Sequence, residues 1–342
     1  MKKINLLKKY LLKTYSDTFF PIFMTLFIIT SIIYLVRIST LTSIMQINFL
    51  ELLELYSYVI PTILFYTFPI ASFISLSLSL SKLSSEYELI VITSFGLNPL
   101  SLIRIFLPIL SLTTIFLLFN SLVLIPKADS KYNSFKENKK VEAQFNIKAS
   151  QYGQQFGSWL IYVDEENEGR FKDIVMFQKD NLSDTFIISK HAKLINRSSS
   201  LSLNLRDGKA FKINDKINQI DYKRMVLYSN LKKTTNIENF DDLVLYWQES
   251  AKNNKKRYKL TFSILLSIFP LMSILFVISF GYFNPRYNKN NTSTYSIILT
   301  ILYVILSQKL SKSIGFNALL MLPFTWMSLS IIYYRLTTKQ YY

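Results

Sequence analysis

SKLSSEYELIVITSFGLN, residues 81–98, begins polar, turns apolar, and separates two long hydrophobic runs. Ser84 or Ser85 can cap a helix here, because a serine hydroxyl accepts hydrogen bonds from free backbone N–H groups. Glu86 and Glu88 would then occupy the first turn, where the helix dipole favours negative charge. The pattern predicts a short helix that lies at one surface of a membrane.

The apolar residues of this predicted helix recur every three or four positions, at Leu89, Ile92 and then Phe95 or Gly96. This spacing gives a helix one apolar face, which has to be buried against something. Two interpretations are open from the residues alone. The helix either rests on lipid headgroups or on its own spans, or it docks on a soluble partner.

The composition places the chain among membrane proteins. Half of the 342 residues are hydrophobic, and Lys plus Arg outnumber Asp plus Glu by 39 to 22. Several apolar runs are at or near the ~20 residues that cross a bilayer as a helix. The six candidate spans are residues 19–36, 58–80, 100–125, 260–283, 295–306 and 316–334. The sequence therefore predicts an α-helical polytopic membrane protein with six transmembrane helices in a 3 + 3 arrangement.

The orientation of these spans follows from the charges beside them. Residues 1–13 carry five lysines and no acid, and basic flanks stay in the cytoplasm. Both termini and residues 81–98 are therefore predicted to be cytoplasmic. Arg37, which follows the first span, is predicted at the outer surface.

Residues 126–258 have a different pattern, with no apolar run long enough to cross a membrane. Short runs alternate apolar and polar residues, most clearly at residues 201–205, and turn-forming pairs such as Asp207-Gly208 separate them. This pattern predicts an external antiparallel β sandwich or jelly roll, followed by a helix over residues 241–257. The domain would be inserted between two membrane halves, residues 1–125 and residues 259–342.

The motif census excludes several kinds of chemistry. The chain has no nucleotide-binding P-loop, no zinc-protease motif and no serine-hydrolase motif, and it contains no cysteine. His191 is the single histidine, and a solvated or locally bonded strand residue is the favoured interpretation for it. The six spans contain no Asp or Glu that could relay protons. Energy for any transport would therefore come from another protein.

Basic side chains collect at the predicted outer edge of the membrane. Arg37 follows the first span, residues 255–257 precede the fourth, and Lys309 and Lys312 follow the fifth. Taken singly, each of these basic side chains is interpreted as an anchor that extends its charge to the membrane interface. Together they could bind an anionic headgroup, because Arg and Lys hold phosphates well. Such a ligand would be amphiphilic, since the walls below are Phe, Ile and Leu.

Over essentially all of its length, the chain resembles the LptF/LptG permeases of lipopolysaccharide export. The resemblance rests on the 3 + 3 architecture and on local motifs. These are Pro61 and Pro69, KLSSEYEL followed by FGLN, Pro108, and Asn284-Pro-Arg286. Ser84-Ser85 and Thr93 stand where relatives often carry Arg or Arg-Asp.

The resemblance implies roles for individual residues. In that family the segment matching residues 83–97 is the coupling helix that docks on a cytoplasmic, LptB-like ATPase dimer. The residues implied in ATPase coupling are Glu86, Glu88, Leu89, Ile92, Phe95 and Gly96. Arg37, Lys309 and Lys312 are implied to bind the phosphates of the lipid at the lateral gates.

The resemblance also implies the wider assembly. The chain would pair with a paralogous permease, and Val36-Arg37 favours the LptF side of that pair. Lipopolysaccharide would pass through the periplasmic jelly roll to a bridge component of the LptC/LptA type. The chain itself would bind no cofactor, metal or nucleic acid, and its partner would use the ATP.

Two other classes of protein are weighed against this reading. A lipid-modifying enzyme would need acid, base or nucleophile residues clustered at one interface, and the census finds none. A non-transporting inner-membrane scaffold or sensor with a periplasmic β domain would leave the ATPase activity of its complex indifferent to lipid.

Overall fold

The computed structural model describes residues 2–42, 47–95, 98–145, 154–156, 159–167, 170–179, 184–197, 200–213, 217–229, 237, 239–287 and 289–337. Within these ranges the chain is mostly helical, and one antiparallel sheet lies between two sets of helices in the sequence. The polytopic helical architecture with an inserted β domain is therefore confirmed.

The N-terminal helices are longer than the apolar runs that predicted them. They are α1 (Lys2–Thr42), α2 (Phe49–Ser85), α3 (Glu88–Ser94), α4 (Pro99–Phe119) and α5 (Ile125–Phe145). A π-helical turn, Asn120–Leu124, joins α4 to α5 without interruption. It widens the helix just before Pro126, whose ring would otherwise clash with the preceding turn. The predicted boundary between residues 125 and 126 therefore lies inside a continuous helix.

The C-terminal helices are α6 (Phe240–Gln248), α7 (Asn254–Met272), α8 (Ile274–Gly281), α9 (Thr292–Ser313) and α10 (Ala318–Thr337). The single helix predicted over residues 241–257 is wrong, because α6 ends in a short 3₁₀ turn, Glu249–Ala251. A new helix then begins at Asn254. The side chain of Asn253 caps it by accepting a 2.9 Å hydrogen bond from the backbone N–H of Lys255.

In the part of the chain that the structure describes, five helices are long and apolar enough to cross a membrane, and a sixth span is present if α7 and α8 count as one. These two helices are bent by 41°, so the uninterrupted fourth span predicted over residues 260–283 is wrong. The break lies at Ser273, three residues after Pro270, which lacks a backbone N–H. The indole of Trp326 donates a 3.0 Å hydrogen bond to the Ser273 hydroxyl and fixes the bend.

Aromatic side chains fill the centre of the C-terminal helices. The Tyr303 ring is 4.5 Å from Phe269 and 4.8 Å from Trp326, measured between centroids. Its hydroxyl donates a 2.7 Å hydrogen bond to the carbonyl oxygen of Leu265. α7, α9 and α10 therefore meet at one buried tyrosine whose polar atom is paired.

Among the described residues, six strands form one sheet in which each strand pairs with its neighbours in the sequence. They are β1 (Gln154–Phe156), β2 (Trp159–Asn167), β3 (Arg170–Gln178), β4 (Asp184–Arg197), β5 (Ser200–Ile213) and β6 (Ile217–Ser229). The order is that of a meander, so it differs from the predicted jelly roll. Short connections cause this order: Asn167 pairs with Arg170 and Arg197 pairs with Ser200, which brings consecutive strands side by side.

The chain divides into two compact units. One comprises Met1–Ser39, Leu52–Lys131 and Asn236–Tyr342, and the other comprises Thr40–Glu51 and Tyr132–Thr235. The unit with the sheet therefore begins later and ends earlier than the predicted β domain, residues 126–258. It also includes a separate segment at the start of α2.

The ladder register passes over one residue in each of the strands β2 to β6, and these residues lie opposite one another. They are Asp164, Asp173, Lys190, Asp207 and Lys223. We call this row the crease. Buried side chains are two positions apart along a strand but three apart across the crease, as from Phe171 to Ile174. Because of this added position, the same face of the sheet is buried on both sides of the crease.

Backbone geometry and burial both fit a sheet that curls at the crease. Asp173 and Asp207 have φ angles of 44° and 54°, in the left-handed region that Asp tolerates better than most residues. Val163, Met176 and Leu203 are fully buried in a cluster whose described members all belong to the sheet, and a flat single sheet would leave these side chains exposed. The Asp207-Gly208 pair, predicted as a turn between strands, is instead this crease within β5.

Side chains satisfy the backbone carbonyls beside the crease. The hydroxyl of the buried Ser189 lies 2.7 Å from the carbonyl oxygen of Arg206. The Tyr222 hydroxyl donates a 3.2 Å hydrogen bond to the carbonyl oxygen of Ile188. Burial raises the pKa of the Tyr222 phenol, so the group stays protonated and keeps its hydrogen. The tyrosine fits only because Gly208 lacks a side chain.

Replacing Gly208 by Ala should destabilise the sheet. The added Cβ would lie 2.2 Å from the carbonyl oxygen of Ile188 and 2.4 Å from the Tyr222 hydroxyl, and such overpacking costs about 1–3 kcal/mol. Hydrogen exchange of β4, β5 and β6 in the full chain measures the effect. Lys209→Ala, at the exposed neighbouring position, is the control. Equal exchange in the two variants would contradict the close packing at the crease.

Candidate functional site

The segment that begins with residue 81 first completes α2 and only then forms the short helix. α2 continues through Ser85, the chain turns at Glu86 and Tyr87, and α3 begins at Glu88. The predicted capping by Ser84 or Ser85 is wrong, because both serines belong to α2. The Ser85 hydroxyl donates to the carbonyl oxygen of Ser81 in its own helix, a common alternative to capping.

Ser84 instead joins the two membrane halves. Its buried hydroxyl donates a 2.5 Å hydrogen bond to the carbonyl oxygen of Gly281, the last residue of α8. The backbone N–H of Phe283 donates a 3.4 Å hydrogen bond to the same hydroxyl. A Cβ on Gly281 would lie only 2.4 Å from the Cβ of Leu80. The ends of α2 and α8 are therefore in direct backbone contact, which we call the α2–α8 junction.

Two further contacts extend this junction. The Ser81 hydroxyl donates to the side-chain oxygen of Asn290, 2.9 Å away, in the segment between α8 and α9. On α3, the Thr93 hydroxyl lies 3.4 Å from the hydroxyl of Tyr282. Both α2 and α3 are thus tied to the residues that follow α8.

The helix α3 presents one side to the protein and another to its surroundings. Leu89 and Thr93 are buried, so they form the inward side. Tyr87, Val91 and Phe95 are 50, 53 and 84% exposed. The backbone N–H of Val91 donates to Tyr87 and that of Phe95 donates to Val91, so the three lie one turn apart. We call these three residues the exposed stripe.

The predicted apolar face of this helix therefore needs correction. Leu89 points inward, Ile92 is half-buried and Phe95 points outward, so the three do not share a face. Sequence periodicity identified the helix but not which apolar residues would pack on the protein. In the sequence, only the spacing of four residues between Tyr87, Val91 and Phe95 indicated that these three share a side of the helix.

The acidic residues of the segment differ in their surroundings. Glu86 is exposed in the turn before α3. Glu88 accepts a 2.6 Å hydrogen bond from the hydroxyl of Tyr10 on α1, a contact that the sequence did not suggest. Gly96 and Leu97, the end of the predicted coupling segment, lie outside the described residues.

The predicted phosphate-binding cations lie on two helices, and all three are exposed. Lys309 and Lys312 are one turn apart near the end of α9, and Arg37 is near the end of α1. With α7 and α8 counted as one span, α1 and α9 cross in the same direction. The three cations then belong to the membrane face opposite α3.

The basic residues 256–259, which overlap the predicted cluster 255–257, are largely engaged within the protein. Lys256 forms an ion pair with Glu249, and Lys259 forms one with Asp129. The guanidinium of Arg257 lies over an aromatic ring, 6.0 Å from its centroid. In the described part of the chain, by contrast, no acidic partner pairs with Lys309 or Lys312. These two lysines are the better placed to meet a ligand.

Within the described residues, no group of three or more His, Asp or Glu is arranged to hold a metal ion. His191 is exposed on β4, directly opposite Lys172 and Arg206 in the neighbouring strands. A histidine that acts as a general base is usually oriented by a third group such as a carboxylate. These two cationic neighbours cannot orient the imidazole in that way.

The family model described as lipopolysaccharide export system permease LptF/LptG matches residues 9–335. No curated protein matches the chain.

Replacing Gly281 by Ala should open the α2–α8 junction. The methyl group would overlap the Cβ of Leu80, and the expected cost is about 1–3 kcal/mol. Thermal unfolding of the purified chain in detergent measures this loss. Ser279→Ala, two residues earlier and without such an approach, is the control. An unchanged midpoint for Gly281→Ala would contradict the direct contact of the two helix ends.

Proposed function

Since the chain belongs to the LptF/LptG family of lipopolysaccharide export permeases, we propose that it is the membrane subunit of an ATP-driven exporter. The exporter extracts lipopolysaccharide from the inner membrane and passes it to a periplasmic bridge toward the outer membrane. The observation that carries the coupling part of this proposal is the exposed stripe on α3. A separate cytoplasmic ATPase dimer supplies the energy.

The exposed stripe supports docking of that ATPase. Tyr87, Val91 and Phe95 project apolar surface away from the protein, on a helix whose other side is already packed. Fully burying one such side chain contributes about 1.5–3 kcal/mol, so a groove that covers all three gains substantial affinity. Glu86 lies beside the stripe and adds a charge that a basic groove would recognise. α3 thereby acts as the coupling helix, with both chain termini in the cytoplasm.

The α2–α8 junction supports transmission of movement. Because Ser84 binds Gly281 and Thr93 contacts Tyr282, a force on α3 reaches both membrane halves at once. α8 is a short helix set at 41° to α7, so tilting it would change the packing of the C-terminal spans. Closure of the ATPase dimer would use this connection to drive the lipid outward.

The outer face supports binding of the lipid. Arg37, Lys309 and Lys312 contact its phosphates, since cations of this kind form strong charge-assisted hydrogen bonds. Below them, α1 and α9 expose isoleucines such as Ile33 and Ile301, which suit acyl chains. These helices form lateral gates, facing those of a paralogous permease, and the chain takes the LptF side of the pair.

The sheet supports transfer to the periplasmic bridge. Its inner face is apolar and curls at the crease, which suits the acyl chains of a lipid. β1 and β6 are the edges of the described sheet. An unpaired edge can bind a strand of another protein by extending the ladder. A bridge component of the LptC/LptA type would add its strands there.

Replacing Phe95 by Ser should reduce the amount of ATPase that co-purifies with the chain by about tenfold, because one buried aromatic side chain is lost from the interface. Quantitative mass spectrometry of the complex measures the ratio of the two proteins. Tyr287→Ser removes another largely exposed aromatic residue, 75% exposed against 84% for Phe95, from a neighbouring loop and serves as the control. A normal ratio for Phe95→Ser would contradict docking through the stripe.

Replacing Arg37, Lys309 and Lys312 together by Glu should lower photocrosslinking of lipopolysaccharide to α1 and α9 by at least about tenfold, because three phosphate contacts become repulsive. The matched triple variant changes Lys131, Lys212 and Lys252, which are also exposed, to Glu. Equal crosslinking in the two triple variants would leave the three cations as interfacial anchors only.

A further inference from the structure

A cavity of about 550 Å³ lies beside α3 on the same side of the membrane. Ile90 of α3, the residues that follow α8, the start of α9 and the end of α10 line it. Its volume is within the range of small-molecule and lipid sites. Three membrane helices end around it, so the cavity lies at the boundary between the bilayer and water.

The walls of the cavity are aromatic. The ring of Phe280 is 5.8 Å from that of Tyr295 and 5.5 Å from that of Tyr333, and all three line the space. Aromatic residues of this kind concentrate where a bilayer meets water, because their rings suit both environments. The walls can therefore contact the glycerol and upper acyl carbons of a lipid.

The charge of the cavity is positive. Lys289 lines it, and none of the described residues that line it is acidic. In the described part of the chain, no carboxylate pairs with the ammonium group of Lys289. The nearby Thr292 hydroxyl already donates to the carbonyl oxygen of Phe280, 2.7 Å away. Lys289 is the one cation among the described lining residues, and the side chains of Asn284 and Asn291 line the cavity with it.

We propose that this cavity binds the headgroup of an anionic phospholipid, with the lipid phosphate at Lys289 and the glycerol region against Phe280, Tyr295 and Tyr333. A free anion would use the lysine but not the aromatic walls, and a neutral lipid would use the walls but not the lysine. The bound lipid also touches Ile90. It therefore braces α3 against α9 and α10 and stiffens the position of the exposed stripe.

Native mass spectrometry of the purified, delipidated full-length protein tests this proposal, with phosphatidylglycerol titrated back in detergent. Lys289→Gln should weaken phosphatidylglycerol binding about fivefold, the loss expected for one lysine near an anionic lipid, and Lys289→Arg should restore it. Arg286→Gln is the matched control. Arg286 is an exposed cation of the same loop that stacks 5.8 Å from the Tyr287 ring and does not line the cavity.

Three results would overturn the proposal. Equal weakening by Lys289→Gln and Arg286→Gln would show attraction to the general surface charge. Equal binding of phosphatidylcholine and phosphatidylglycerol would show that the charge of the lipid is not recognised. Displacement of the lipid by millimolar inorganic phosphate would show a free-anion site. None of these results depends on export activity, so they test lipid binding at the cavity independently of the proposed permease function.

Discussion

The hydrogen bond from Ser84 to Gly281 holds together the parts of the structure that this function needs. In a membrane, apolar side chains gain little by leaving lipid, so helices associate through close packing of small residues and through shared hydrogen bonds. The α2–α8 junction uses both, because Gly281 admits Leu80 and the Ser84 hydroxyl spans the remaining gap. A serine that looks like a helix cap in the sequence is thus a contact between membrane halves.

Small polar residues also line the buried side of α9. Its buried side carries a seam of hydroxyl residues at helical spacing, namely Thr292, Ser296, Thr300, Ser307 and Ser311, with Tyr303 between them. Its opposite side exposes isoleucine and leucine. The reversed distribution, polar inside and apolar outside, is that of a helix solvated by lipid. Of these hydroxyls, that of Thr292 donates to the carbonyl oxygen of Phe280 on α8, whereas those of Thr300 and Ser307 donate to carbonyls of α9 itself. The seam therefore contributes mainly through the small size of its residues, which allows close packing.

Features that depend on local pattern were predictable from the sequence, and features that depend on tertiary neighbours were not. Apolar runs predicted the spans, and alternation predicted the strands. The outward direction of Phe95 and the inward direction of Leu89 depend on what covers each side of α3. The sequence of Asp207-Gly208 signals an unusual backbone conformation, which the protein uses for a crease rather than a turn. The break at Ser273 has no marker beyond Pro270, since a proline alone does not tell a kink from a break.

The most direct test of the account uses the absence of cysteine from the chain, because a single introduced thiol reports on one position without background. Val91→Cys places that thiol at the centre of the exposed stripe, and a short thiol-to-amine crosslinker is then applied to native membranes. The account predicts one dominant product, a soluble ATPase joined to this chain, whose lipopolysaccharide-stimulated hydrolysis is lost on crosslinking. Products that contain only lipid or other segments of this chain would contradict it.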